Sequence, residues 1–280
     1  MVGAALLFST GGAAIKACSL TGWQVAGLRS GIAALALLAM VPSARAAMTR
    51  RSWLLGLPYA ATLILFVLAN KLTTSANAIF LQSTAPLYLV LLAPWLLKEK
   101  PRRQELIYMG ALALGLAMFF VSTPAAIASA PHPFEGNLVA AGSGLAWAFT
   151  VVGLRFAGRD GVPGAGGAAV IAGNLLAFAL CLPLMLPLAV PSARDTTLLL
   201  YLGIVQIGLA YALLTSAMRL VPAFEAALLL LVEPMVNPFL AWWAQGEKPG
   251  GWSLAGSLTI LAATVVKSWT DARQLRRREA

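Results

Sequence analysis

The sequence predicts an all-α membrane protein of ten transmembrane helices in two inverted five-helix repeats. Three observations lead there. The chain is too apolar to dissolve as a globule, its apolar residues fall into ten runs, and one long segment occurs twice.

Of 280 residues, 60% are hydrophobic and 11% charged, with mean hydropathy +0.82. Soluble domains are about half apolar and about a quarter charged. Too little polar surface remains to cover a globule, so a bilayer is the expected solvent. A span of about 20 apolar residues plus a connector takes roughly 25–28 residues, so about ten spans fit.

The runs lie near 1–17, 23–41, 53–70, 74–97, 104–122, 136–155, 164–190, 197–217, 222–244 and 251–269, separated by polar or Pro/Gly-rich breaks. Hydrocarbon offers backbone groups no partners, so each run is a helix rather than an open strand. The first run starts abruptly and has no positive stretch before it, so cleavage as a signal peptide is not expected.

Shifting the chain by 148 positions lays residues 69–101 over 217–249, with 11 identities in 33 positions. Pro86 falls on Pro234, Trp95 on Trp243, and Glu99-Lys100-Pro101 on Glu247-Lys248-Pro249. A repeated apolar segment with a central proline and a charged exit is the signature of a transporter built from two related halves.

Charge sets the orientation. With a cytoplasmic N-terminus, 15 of the 20 Lys and Arg face the cytoplasm, and Lys16, Lys71, Arg194 and Lys248 face the other side. Arg29 lies inside a span. This is a strong positive-inside bias. Five spans per half is odd, so the halves insert oppositely. The first exit, Lys98 to Arg103, is basic and inside; the second, Gly246 to Gly251, has lost most of that charge and is outside. Tandem copies in one orientation would need an even number per half. The expected division is a first repeat at 1–122, a connecting loop at 123–135, a second repeat at 136–270 and a basic cytoplasmic tail at 271–280. The site of residence is the cell inner membrane, multi-pass, with both termini cytoplasmic.

A net charge of +10 would suggest nucleic acid in a soluble protein. Here positive-inside loops meeting anionic lipid account for it, and no nucleic-acid partner is expected. Cys18 and Cys181 fit no metal spacing and read as small hydrophobes. His132, in a Pro-rich loop, reads as solvated. With one histidine, no Walker loop and no Cys/His cluster, no enzyme, cofactor or metal is expected.

Several spaced motifs point to one family. They are Phe8-Ser9-Thr10-Gly11 with Ile15-Lys16, Gly144-Leu145-Ala146-Trp147-Ala148, and Tyr201-Leu202-Gly203-Ile204. Gly208-Leu209-Ala210-Tyr211, Leu230-Leu231-Val232-Glu233-Pro234 and Gly246-Glu247-Lys248-Pro249 complete the set. The chain resembles the EamA-type members of the drug/metabolite transporter superfamily over nearly its whole length. The resemblance implies ten helices in two inverted five-helix repeats and movement of small metabolites, often with proton or exchange coupling. Phe8, where many relatives carry Trp, and a short first helix are departures.

Glu233 sits near the middle of the ninth run. A charge there costs about 2.5–3.5 kcal/mol on insertion scales, so it should face a cavity or a partner. Burial favours its neutral form and would suit a proton carrier. The Glu-Pro pair is usual in the family whatever the substrate, so a structural anchor is the other reading. Its repeat mate is Ala85, which makes the halves inequivalent. Pro86 and Pro234 each remove a helix hydrogen bond and are read as gating kinks. The carbonyls they free, at Gln82 and Leu230, could touch substrate.

Asn237 lies four residues beyond Glu233 on the same helix face. Asn77 and Glu225 are repeat mates that either cap helices or polarise the two vestibules. Arg29 either snorkels, pairs with an intramembrane acid, or meets an anionic substrate. Lys71 and Arg219 end helices, where cations suit the dipole. Ser9, Thr10, Tyr88, Trp147, Thr150, Gln206 and Tyr211 are polar and aromatic positions in helices 1, 4, 6 and 8. By family resemblance such helices line a central cavity, which would suit an amphiphilic solute. Trp53, Trp95, Trp243, Trp252 and Trp269 read as interfacial anchors. Gly110, Gly115, Gly142 and Gly144 permit close helix approach.

These features predict a secondary transporter that moves a small organic solute, an amino acid or related metabolite, by alternating access. Export is the expected direction, with proton coupling or exchange. Its partners are the solute and membrane lipids; the oligomeric state is left open. The competing reading is a membrane-embedded protein that binds or flips lipids or small molecules without coupled transport.

Overall fold

The computed structural model describes residues 2–96, 103–121, 126–159, 161–188, 190–217 and 232–279. It is helical nearly throughout; the extended pairing among the described residues is an isolated antiparallel bridge between Ile127 and Ala130.

The first apolar run divides into α1 (Val2–Ser9) and α2 (Gly11–Ala17), joined at Thr10. α3 (Gly22–Met40) starts at a capping box in which Thr21 and Gln24 satisfy each other's backbone N–H groups. α4 (Pro42–Ala46) is a short connector to α5 (Arg50–Leu72). The fourth run is broken into α6 (Ser75–Gln82) and α7 (Ala85–Leu96). α8 (Arg103–Val121), α9 (Pro133–Arg159) and α10 (Ala165–Met185) follow. The eighth run is composite, with α11 (Ala193–Leu200), a π-helical stretch (Tyr201–Leu209) and α12 (Ala210–Ala217). α13 (Val232–Gln245) and α14 (Gly251–Glu279) close the chain.

Six segments are long and apolar enough to cross a membrane, by length and composition, among the described residues. They are Gly22–Met40, Arg50–Leu72, Gln104–Val121, Pro133–Leu154, Ala165–Met185 and Ala193–Leu214. The other four expected spans differ for local reasons. The first is shorter, the fourth is interrupted at Ser83 and Thr84, and the tenth is diluted by Ser, Thr and Lys267. Of the ninth, residues 222–231 lie outside the described residues, and so do Arg219, Glu225 and Leu230. The first basic exit at 98–102 also lies outside them.

Packing follows the small residues. α5 lies against α9 and α10, α10 against α3, and α8 against α14. A Cβ on Gly56 of α5 would stand 2.6 Å from the Gly173 nitrogen of α10, so these backbones touch. A Cβ on Gly256 of α14 would stand 2.7 Å from the Gly115 carbonyl oxygen of α8. Tyr59, Val67, Leu112, Ile171 and Ile260 belong to the buried core. The outer surface is apolar too: Leu35, Ile107 and Trp243 are 69%, 66% and 79% exposed. Such faces mark contact with a membrane or a partner; on helices of this length and hydropathy, hydrocarbon is the natural cover.

Candidate functional site

The helices line a cavity of about 390 Å³. That lies within the size range of small-molecule sites. Its walls come from both halves of the chain. Phe8 of α1, Arg29 of α3, Tyr59 and Thr62 of α5, Gln82 of α6 and Pro86 of α7 face Trp147 of α9 and Gln206 of the π-helical stretch. Tyr211 of α12, Glu233 and Pro234 of α13, and Ile260 and Thr264 of α14 complete much of the rest.

Local geometry aims these groups inward. The π-helical stretch widens the eighth run where Gln206 and Ile207 meet the cavity. Such stretches are rare and often mark functional positions. Tyr211 meets the rings of Phe8 and Tyr59 edge-on, at centroid distances of 5.2 and 5.5 Å. Gln82 Nε2 donates to the Ser143 hydroxyl at 2.8 Å.

A guanidinium and a carboxyl group share this space. Arg29 is 2% exposed; its Nη2 donates to the Leu63 carbonyl at 3.5 Å, and its Nε has no hydrogen-bond partner among the described residues. The Glu233 carboxylate has no hydrogen-bonding or ionic partner among the described residues.

The remaining candidates lie off the cavity wall. Ser9 Oγ donates to the Ala5 carbonyl at 2.7 Å and stands 3.5 Å from that of Glu233, linking α1 to α13. Thr10 Oγ1 donates to the Leu7 carbonyl and lies 2.7 Å from the Tyr201 hydroxyl. Thr150 donates to the Ala146 carbonyl, 3.2 Å from the Thr62 hydroxyl. Tyr88 is half-buried, its ring against α9 at Gly144. Asn237 is buried, and both its amide atoms lack partners among the described residues. A Cβ on Gly12 would stand 2.9 Å from Asn237 Oδ1 and 2.9 Å from Ser75 Oγ, so only glycine lets these groups approach α2.

Pro86 falls in the first turn of α7, where a missing N–H costs least. The interruption itself is at Ser83 and Thr84, whose hydroxyls donate to the Ile79 and Leu81 carbonyls. The Gln82 carbonyl would stand 3.2 Å from a Cβ on Gly144, so it packs on α9. Asn77 joins a buried network: its Nδ2 donates to Asn137 Oδ1 at 3.0 Å, and Thr74 is the cap of α6.

Sequence reasoning did not single out Tyr59, Thr62, Phe66 and Phe80, which line the cavity. Tyr59 and Thr62, polar at helical spacing in an otherwise apolar run, were the available signal. Nor did it pair Lys16 with Glu247, which form a buried ion pair. No group of three or more His, Cys, Asp or Glu able to hold a metal occurs among the described residues.

Comparison with known proteins adds three findings. The family described as "EamA-like transporter family" matches residues 1–121 and 134–269. The Bacillus subtilis (strain 168) protein named "Putative permease-like protein YdzE" is 33% identical over 67 residues, which are 24% of this chain and 86% of that protein. A solved crystal structure, described only as that of a protein, aligns over 98% of this chain and 97% of its own, with TM-score 0.64 and 22% identity. At that identity the likeness speaks for the fold alone.

Proposed function

The chain belongs to the EamA-like transporter family, multi-pass membrane transporters of small solutes, and we propose that it is a secondary carrier working by alternating access. The solute is a small organic molecule, an amino acid or related metabolite. The direction is export, with proton coupling or exchange, across a cell inner membrane and with both termini cytoplasmic. In this reading two inverted repeats of five helices rock about one central site.

One observation carries the reading. A solute-sized cavity is walled by helices from both halves and holds Arg29 and Glu233. Ionisable groups inside membrane spans are costly and mark transport pathways. The interrupted fourth run supports it too, because broken helices at midplane cavities are a feature of carriers.

Counterflow in proteoliposomes tests it. Saturable exchange of a solute, lost in a folded Glu233→Gln protein when driven by a pH gradient, is expected. A protein that flips lipid and exchanges no solute is a lipid-handling protein instead. pH dependence that survives Glu233→Gln removes the acid from coupling while leaving the carrier intact.

A further inference from the structure

The cavity presents a guanidinium, Arg29, and a carboxyl group, Glu233, that do not pair with each other. No ion pair links Arg29 to Glu233, although both face the same space, which Tyr211 also lines. Among the described residues the Arg29 guanidinium keeps a single 3.5 Å hydrogen bond, and Nε has none. An uncompensated buried charge is strongly unfavourable. Arg29 is buried in this way, and the Glu233 carboxyl group facing the same space has no ion pair among the described residues.

The chemistry of the missing partners follows from the donor sets. A guanidinium is a planar fork of donors that matches a carboxylate. A carboxylate accepts from an ammonium, which has three donors and no acceptor. A ligand with one charge offsets one group and sets a like charge beside the other, which is how sites reject wrong partners. A ligand with both charges offsets both. The wall around them is aromatic and apolar, with Phe8, Phe66, Phe80 and Trp147.

We infer that the site selects zwitterions: Arg29 takes the carboxylate, Glu233 takes the ammonium, and an apolar body lies against Phe8, Phe66, Phe80 and Trp147. This rests on the carrier reading and goes further by giving specificity to two named residues. Net-neutral amino acids with apolar side chains fit; monocarboxylates and simple amines do not.

The test uses purified full-length protein in nanodiscs, with binding read by calorimetry and by thermal stabilisation. The probes are the standard L-amino acids, then matched analogues lacking one charge. For phenylalanine these are 3-phenylpropanoate and phenethylamine; for leucine, 4-methylpentanoate and isoamylamine. The zwitterion is expected to bind at least about tenfold more tightly than either analogue, as for a site with desolvated charge partners. In Glu233→Gln its affinity should fall to that of the carboxylate analogue. In Arg29→Gln it should fall to that of the amine, with Arg29→Lys recovering part of the loss. Should a variant fail to fold, the wild-type analogue series decides alone. A singly charged analogue binding as tightly as its zwitterion overturns the assignment. So does the absence of any amino-acid binding at millimolar concentration while counterflow detects saturable exchange of another solute; the carrier reading then survives. Absence of exchange for every solute would overturn the carrier reading itself.

Discussion

The Lys16 ammonium meets the Glu247 carboxylate at 2.8 Å, and the two side chains are 3% and 2% exposed. Lys16 also donates to the carbonyls of Thr73 and Ser129, and Glu247 Oε2 accepts from the Ser75 amide at 2.8 Å. One buried contact thus ties α2, the start of α6, the segment before α9, and the link between α13 and α14. Breaking a buried pair from one side strands the other charge, at about 3–5 kcal/mol. Lys16→Met or Glu247→Gln should therefore lower the unfolding temperature clearly. The double variant Lys16→Met/Glu247→Leu should recover part of the loss, because no charge is stranded. Thermal unfolding of the three proteins in one detergent checks this.

Gly56 and Gly173 let α5 and α10 touch. A Cβ on Gly56 meets backbone atoms at 2.6 and 2.9 Å, which no side-chain rotation relieves. Gly56→Ala should destabilise by about 1–3 kcal/mol through overpacking. Because Tyr59 of the same helix lines the cavity, ligand affinity should fall as well. Parallel unfolding and binding measurements test both.

Gly110 and Gly115 lie on the same helix and behave differently. A Cβ on Gly115 would stand 2.7 Å from Ile260 Cγ1 and 3.1 Å from the Gly256 carbonyl, whereas one on Gly110 meets nothing within 4 Å among the described residues. Gly115→Ala should destabilise by about 1–3 kcal/mol. Gly110→Ala should be neutral or stabilising by up to about 1 kcal/mol, from helix propensity. Equal unfolding temperatures for the two variants would contradict the packing of α8 on α14.

Trp147 lines the cavity and is only partly buried in the core. Trp147→Ala should weaken solute binding more than it lowers stability. Comparable losses in the two measurements would assign it to packing instead.

The proposed orientation predicts that reporter fusions at each end are active only in the cytoplasm. One terminus on the far side would reject the proposed topology.

Much of the bundle was legible before any coordinates. Helices over 23–41, 53–70, 104–122 and 164–190 match observed elements within a few residues, because hydropathy is a local property. Their interruptions were less legible. Pro86 advertised a kink, but the break falls at Ser83 and Thr84, where hydroxyl groups satisfy the freed carbonyls. The nine-residue π-helical stretch at Tyr201–Leu209 has no proline to announce it.

The amino-acid order by itself determined that this chain lives in lipid, that one segment is duplicated, and that Arg29 and Glu233 place ionisable groups inside apolar runs. Each of these is read from neighbours along the chain. Which side chains share a chamber was decided by tertiary packing alone. Helix rotation, set by glycine contacts such as Gly56 on Gly173, turns Tyr59 and Thr62 to the cavity and leaves Asn237 beside Gly12. Distance along the chain carries no record of that rotation, so Lys16 and Glu247 become partners only when the helices are assembled.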